Sequence, residues 1–124
     1  MSKKLYKYNE YFGRMGSLDG LFVEDERLME IVLRSEIEID LGECLGKHSQ
    51  VEVVLSSATV AVVECDDAFV EGFERIVGGV GTQPVGALID MVYYREEYAD
   101  EGPLYALYEE LVTAGFGDRV NHES

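Results

Sequence analysis

YFGRMGSLDGLFV (residues 11–23) places a glycine-rich segment between two stretches of apolar and aromatic residues. A dinucleotide-binding loop needs the spacing G-x-G-x-x-G directly after a strand and at the start of a helix. Here the spacing is G-x-x-G-x-x-x-G, it leads into strand-like LFV, and Gly-Lys-Ser/Thr is absent. We therefore predict a turn between two strands, in which Gly13, Gly16 and Gly20 supply positive φ angles or close backbone approach.

The clearest strand pattern lies further along, in EIEIDL (residues 36–41). Ile37, Ile39 and Leu41 alternate with acidic residues, and successive side chains of a strand point to opposite faces. Similar patterns predict four more strands, the last two joined by a short turn: KLYKY (4–8), GLFV (20–23), VEVVL (51–55) and TVAVV (59–63).

Apolar residues at helical spacing predict four helices, at 24–35, 67–77, 87–98 and 103–114. Asp25 and Asp66 are the predicted N-caps of the first two helices. The MVYY sequence within the third segment fits a strand equally well, so both alternatives stay open there.

These elements predict an α+β fold, a mainly antiparallel sheet of about five strands with three or four helices packed on one face. The length of the chain favours one domain, which we place at 1–115, followed by a frayed tail at 116–124. Loops are predicted at 42–50 and 78–86.

The charge balance limits the classes of partner. The chain has 10 Lys and Arg against 25 Asp and Glu, a formal net charge of −15. Such a surface repels nucleic acid and anionic membranes and attracts cationic proteins. No apolar run is long enough for a signal peptide or a membrane span, and two cysteines do not make a disulfide framework. We therefore expect free thiols and a cytoplasmic protein with neither nucleic acid nor membrane as a direct partner.

The positive charge is concentrated at the start of the chain, in Lys3, Lys4, Lys7 and Arg14. Two interpretations stay open: a basic arm that docks on an acidic surface, or a first strand whose lysines protect the edge of a sheet.

An acidic row is the main candidate for partner binding. The strand period places Glu36, Glu38 and Asp40 on one face, with neighbours about 6.6 Å apart, and Glu52 on the next strand extends the row. The row predicts a rigid binding surface for a basic protein.

The sequence predicts a second candidate site, which would bind a phosphate. In LGKHSQV (45–51), Lys47, His48 and Ser49 offer a cation, an imidazole and a hydroxyl, and Arg14 joins them if the two glycine loops meet. The alternative is a hairpin loop in which Gly46 takes a positive φ.

Metal binding and catalysis find little support. Cys44, His48 and Cys65 lack the close pairs of zinc sites, so we predict no metal and interpret the thiols as small buried side chains. A nucleophile formed by Cys44 or Ser49 with His48 rests on adjacency alone, which is weak evidence. We assign no catalytic residue and no cofactor.

Tyrosines cluster in the C-terminal third, at Tyr93, Tyr94, Tyr98, Tyr105 and Tyr108. Tyrosine is enriched at contact surfaces, so this pair of helices predicts a homodimer face; ordinary core packing is the alternative.

The segments GRMG-x-L-x-GLF (13–22) and GKHS-x-V (46–51) resemble a family of short, uncharacterised phage and bacterial proteins. The resemblance covers the chain to about Val63. It implies a phage-associated origin and an α+β fold and brings no catalytic residues.

Two functions follow from the sequence. The favoured one is a small acidic, non-enzymatic binding protein, in specific form a phage-encoded inhibitor of a basic nucleic-acid-processing or defence protein in the host cytoplasm. The alternative is a small-ligand or nucleotide-phosphate binder, which includes a hydrolase, that uses Arg14 and the Lys47–Ser49 loop.

Overall fold

The computed structural model describes residues 2–42, 50–97 and 102–121. They form an α+β fold, as predicted. The strands are β1 (Lys3–Tyr11), β2 (Ser17–Asp25), β3 (Glu38–Gly42), β4 (Val51–Val54), β5 (Val60–Val63) and β6 (Gly79–Gly81). The helices are α1 (Glu26–Ser35), α2 (Asp67–Ile76), α3 (Pro84–Tyr93), α4 (Gly102–Thr113) and α5 (Gly117–Val120).

A long hairpin forms the centre of the fold. β1 and β2 pair antiparallel along their full length, from Lys3 opposite Asp25 to Tyr11 opposite Ser17. Between them, one turn of 3₁₀ helix begins at Gly13, with φ 66°, and is followed by Gly16, with φ 108°; other residues rarely adopt these angles. The predicted turn between two strands is confirmed.

The main sheet has the order β5-β1-β2-β6, and β3 pairs with β4 in a separate two-stranded sheet. β1 is therefore an inner strand, and the interpretation of its lysines as protection for a sheet edge is wrong. The two strands joined by the predicted short turn, β4 and β5, both exist but lie in different sheets. β5 pairs with β1, whose residues lie more than fifty positions earlier in the chain, so local sequence does not show the pairing.

The glycine-rich segment around residue 80, predicted as a loop, instead contributes β6 to the sheet. Its backbone lies so close to β2 that a Cβ on Gly20 would collide with the carbonyl of Thr82, and one on Gly81 with the carbonyl of Asp19. The Thr82 N–H donates to that Asp19 carbonyl at 2.8 Å. Gly20 thus provides close backbone approach, one of the two roles predicted for these glycines.

Helices cover both faces of the main sheet rather than one. Tyr6, Tyr8 and Phe22 point into the main core, which also includes side chains of α1, α3, α4 and α5. The opposite face carries Leu5, which is buried outside that core, and α2 packs there. The Lys3 ammonium, on the same face as Leu5, lies 2.8 Å from the Glu74 carboxylate of α2.

The N-caps of α1 and α2 are the two aspartates that the sequence predicts. The Asp25 carboxylate accepts hydrogen bonds from the N–H groups of Arg27 and Leu28, and Asp66 accepts one from Phe69. Both predicted N-caps are confirmed. Residues 87–93 are helical within α3, which resolves the open choice between helix and strand there.

The prediction fails at the C-terminal end. The frayed tail placed at 116–124 is wrong over 116–121, because α5 packs into the core with Phe116 and Val120 buried. This segment is too short for a helical pattern to be recognised in the sequence, because Phe116, at the N-cap, and Val120 are its two apolar residues. Residues 122–124 lie outside the described part of the chain.

We expect Gly20→Ala to lower the free energy of unfolding by about 2–3 kcal/mol, because the new methyl group must displace the Thr82 backbone. Gly72→Ala is the matched control: nothing lies near its Cβ position in α2, so alanine should stabilise the helix by about 0.5–1 kcal/mol. Urea denaturation of both variants measures the difference. Equal stability of the two would contradict the close packing of β2 against β6.

Candidate functional site

The acidic row predicted from the sequence forms at the junction of α1, β3 and β4. Glu38 and Asp40 are exposed on β3, on either side of the buried Ile39, and Asp40 lies directly opposite Glu52 on β4. The alternation of buried and exposed residues fixes the outward direction of these carboxylates, since a slip of one residue would bury them.

Glu36 departs from the predicted strand. It is the C-cap of α1 and has a left-handed backbone, φ 54°, the one positive φ among the non-glycine residues of the described chain. Helices commonly end with such a residue, usually glycine. Glu36 therefore reaches the acidic row from the end of a helix instead of from β3.

All four carboxylates line one surface depression of about 400 Å³, together with Ser35, Ile37, Met91 and Pro103. We call Glu36, Glu38, Asp40 and Glu52 the acidic face. Its described lining includes neither Lys nor Arg. The apolar part comes from the α1–β3 connection, α3 and α4, so the depression has carboxylates beside an apolar surface.

Hydrogen bonds orient Asp40 within the acidic face. The Asp40 carboxylate accepts hydrogen bonds of 2.9 Å from the Gly42 N–H and from the Gln50 side-chain amide. An irregularity in the β3–β4 pairing lies between Asp40 and Gly42. Like charges directly opposite each other in a sheet repel, so Asp40 and Glu52 carry a local electrostatic cost that a bound cation would relieve.

The predicted phosphate site is only partly described. Arg14 lies exposed in the 3₁₀ turn between β1 and β2. Lys47, His48 and Ser49 lie outside the described residues, as do Gly46 and Cys44. The phosphate site thus stays a prediction.

The tyrosines divide between internal contacts and exposed positions. The Tyr108 hydroxyl donates to the Asn121 side chain at 2.7 Å, and the Arg95 guanidinium lies 3.6 Å from the centre of the Tyr108 ring. Tyr94 and Tyr105 are exposed. The homodimer stays a prediction, and Tyr98 lies outside the described residues.

Cys65 is free and exposed, which corrects the interpretation of that thiol as a small buried side chain. Over residues 2–42, 50–97 and 102–121, no three His, Cys, Asp or Glu side chains are placed to hold a metal ion. The same segments contain no helix with the length and apolar character to cross a membrane.

An ion pair that the sequence did not predict connects the two ends of the fold. Two nitrogens of Arg119 lie 2.6 and 3.0 Å from the two carboxylate oxygens of Glu24. The Glu24 side chain is nearly buried, and its hydrogen bond raises the pKa of Arg119. A separation of 95 residues leaves no local signal for this pair.

Tyr6, a buried residue of β1, lies close to the carboxylates at the end of β2 and the start of α1. Burial raises the pKa of Tyr6 to about 12, and the negative charges of Glu26, Glu24, Asp25 and Glu30 act in the same direction. A phenolate at this position would be buried among carboxylates, so the folded protein holds the phenol in its neutral form.

The comparisons with known proteins leave the family open: the chain matches no protein-family model, no curated protein and no solved structure.

We expect Arg119→Ala to lower the free energy of unfolding by about 2 kcal/mol, because Glu24 is left buried without its cation. Arg75→Ala, at an exposed position of α2, should change it by less than about 0.5 kcal/mol. Adding Glu24→Gln to Arg119→Ala should restore part of the loss. Equal denaturation midpoints for the two arginine variants would show that the ion pair contributes nothing.

We expect Tyr6 to make the protein lose stability at high pH. An unfolded tyrosine ionises near pH 10, so between there and about pH 12 the unfolded chain loses a proton that the folded chain retains. The free energy of unfolding therefore falls across this window, by up to roughly 2–3 kcal/mol. Tyr6→Phe should flatten the fall and Tyr11→Phe, at an exposed position, should not. Identical pH profiles for the two variants, measured by denaturant titration, would contradict this.

Proposed function

We propose that this protein is a non-enzymatic binding protein whose acidic face binds a basic protein. The observation that carries the proposal is the convergence of four carboxylates on one depression without a Lys or Arg among its described lining residues. On a chain with a net charge of −15, such a surface selects cationic partners.

The lining of the depression fits lysine and arginine side chains of a partner. Their hydrocarbon stems pack on apolar surface while their charged ends stay near water or a carboxylate. Ile37, Met91 and Pro103 provide the apolar contact, and the carboxylates of the acidic face lie beside them. Charge also accelerates the encounter, an effect that weakens as salt screens it.

The specific form of the proposal is a phage-encoded inhibitor that acts in the host cytoplasm on a nucleic-acid-processing or defence protein. Its support comes from the sequence, through the resemblance to phage proteins and the acidic composition. The acidic face imitates DNA only in part, because carboxylates about 6.6 Å apart along a strand are sparser than the phosphates of a duplex.

We expect the triple variant Glu36→Lys, Glu38→Lys and Asp40→Lys to slow association with a basic partner about tenfold or more at low salt. The partner is first captured from bacterial lysate on the immobilised protein, and association rates are then measured at low and high salt. The difference between wild type and variant should shrink as salt rises.

The matched control makes the same change of net charge elsewhere, with Glu71→Lys, Glu96→Lys and Glu109→Lys, all exposed and outside the acidic face. Its association rate should fall much less. Equal slowing in both triple variants would show that only net charge matters, and unchanged rates in both would remove the proposed function.

A further inference from the structure

The outer edge of β5 has backbone groups that face away from the sheet. The Asn9 N–H donates to the Thr59 carbonyl at 2.9 Å, and the pairing continues with Lys7 opposite Ala61. In antiparallel pairs the residues alternate between facing the partner strand and facing away. The N–H and C=O groups of Val60 and Val62 therefore point outward from β5.

Within the described chain, only some of the outward backbone groups of β5 form hydrogen bonds. The Val60 N–H donates to the Ser56 carbonyl at 3.0 Å. The carbonyl of Val60 and both backbone groups of Val62 have no backbone partner among the described residues. Ala61 and Val62 point to opposite faces and are both exposed, so described residues cover neither side of the edge.

The other edge of the same sheet, formed by β6, is partly protected. β6 has three residues, and Gly81 at φ 75° interrupts its extended backbone. The side-chain amide of Gln83 donates to the carbonyls of Val80 and Gly81. Proteins commonly protect edges in such ways, with short strands, bends, lysine or proline. β5, with the sequence VAVV, is also short at four residues, but it contains no lysine, no proline and no glycine with a positive φ.

We infer that β5 accepts an extended segment of a partner protein, which adds to the main sheet as a fifth strand and carries apolar residues flanked by Lys or Arg. Val62 offers apolar contact on one face of the added strand. Ala61, which is also exposed, offers a smaller apolar contact on the other face. Backbone hydrogen bonds supply affinity in this mode of recognition, and the side-chain contacts supply selectivity.

The charges at the end of β5 select a cationic segment. Glu64 follows the strand directly, and Asp66 and Asp67 begin α2, all three exposed. A second copy of this chain would bring its own set of these carboxylates to the same edge, so repulsion disfavours self-pairing. The edge lies in a different sheet from the acidic face, so this inference goes beyond the proposed function and stands or fails separately.

The probe is a blocked, fluorescent peptide of about eight residues with valine and threonine at its centre and lysine at both ends. We expect saturable binding by anisotropy, with new protection of the Val62 amide against hydrogen exchange. Methylating the peptide nitrogens that face β5 should weaken binding about tenfold or more, since each lost hydrogen bond is worth about 1 kcal/mol. Methylating the alternate nitrogens, which face away, should not.

Val62→Pro tests the same edge from the protein side. This substitution removes the outward N–H of Val62 and no described internal hydrogen bond. Edge strands tolerate proline at such a position, and the loss of one hydrogen bond of about 1 kcal/mol should weaken binding about fivefold. Val62→Ala keeps the N–H and is the control. The triple lysine variant of the acidic face should retain peptide binding.

Three outcomes would overturn the inference: no binding by the wild type, equal binding of both methylated peptides, or dimerisation that Val62→Pro abolishes. The peptide comparison keeps the test decisive even where the proline variant fails to fold.

Discussion

The full-length pairing of β1 with β2 is the constraint on which the other elements depend. Nine consecutive residues of each strand pair, and the turn between them requires left-handed backbone at Gly13 and Gly16. β5 and β6 add to the two outer sides of this hairpin, and α1 continues directly from β2 through the Asp25 cap. One face of the hairpin is buried in the main core and the other carries α2, so disruption of the turn would affect both layers.

The described ion pairs place positive charge where it holds elements together. Lys3 connects β1 with α2, Arg34 connects α1 with Glu110 of α4, and Arg119 connects α5 with β2. None of these three cationic side chains lines the depression at the acidic face. The excess of negative charge is therefore left on surfaces such as the acidic face and the end of β5, where a basic partner would compensate it.

The acidic face shows which side-chain positions can be predicted from the alternation of residues along a strand. The directions of Glu38 and Asp40 follow from the period of a strand, because Ile39 must be buried. The position of Glu36 does not follow from the strand period, because Glu36 is the C-cap of α1, with φ 54°, and lies outside the strand. The apolar lining from Met91 and Pro103 is contributed by helices much later in the chain, and no local rule connects them with β3.

The sequence by itself determined the α+β class, the central turn, both aspartate caps and the exposure of the acidic strand. These features depend on residues a few positions apart, through φ preferences, capping hydrogen bonds and side-chain period. Tertiary structure alone decided the position of β1 inside the sheet, the separation of β4 from β5, the addition of β6 and the packing of α5. Each of these rests on contacts between distant segments, such as Gly20 against Thr82 and Glu24 with Arg119, whose energies local sequence does not encode.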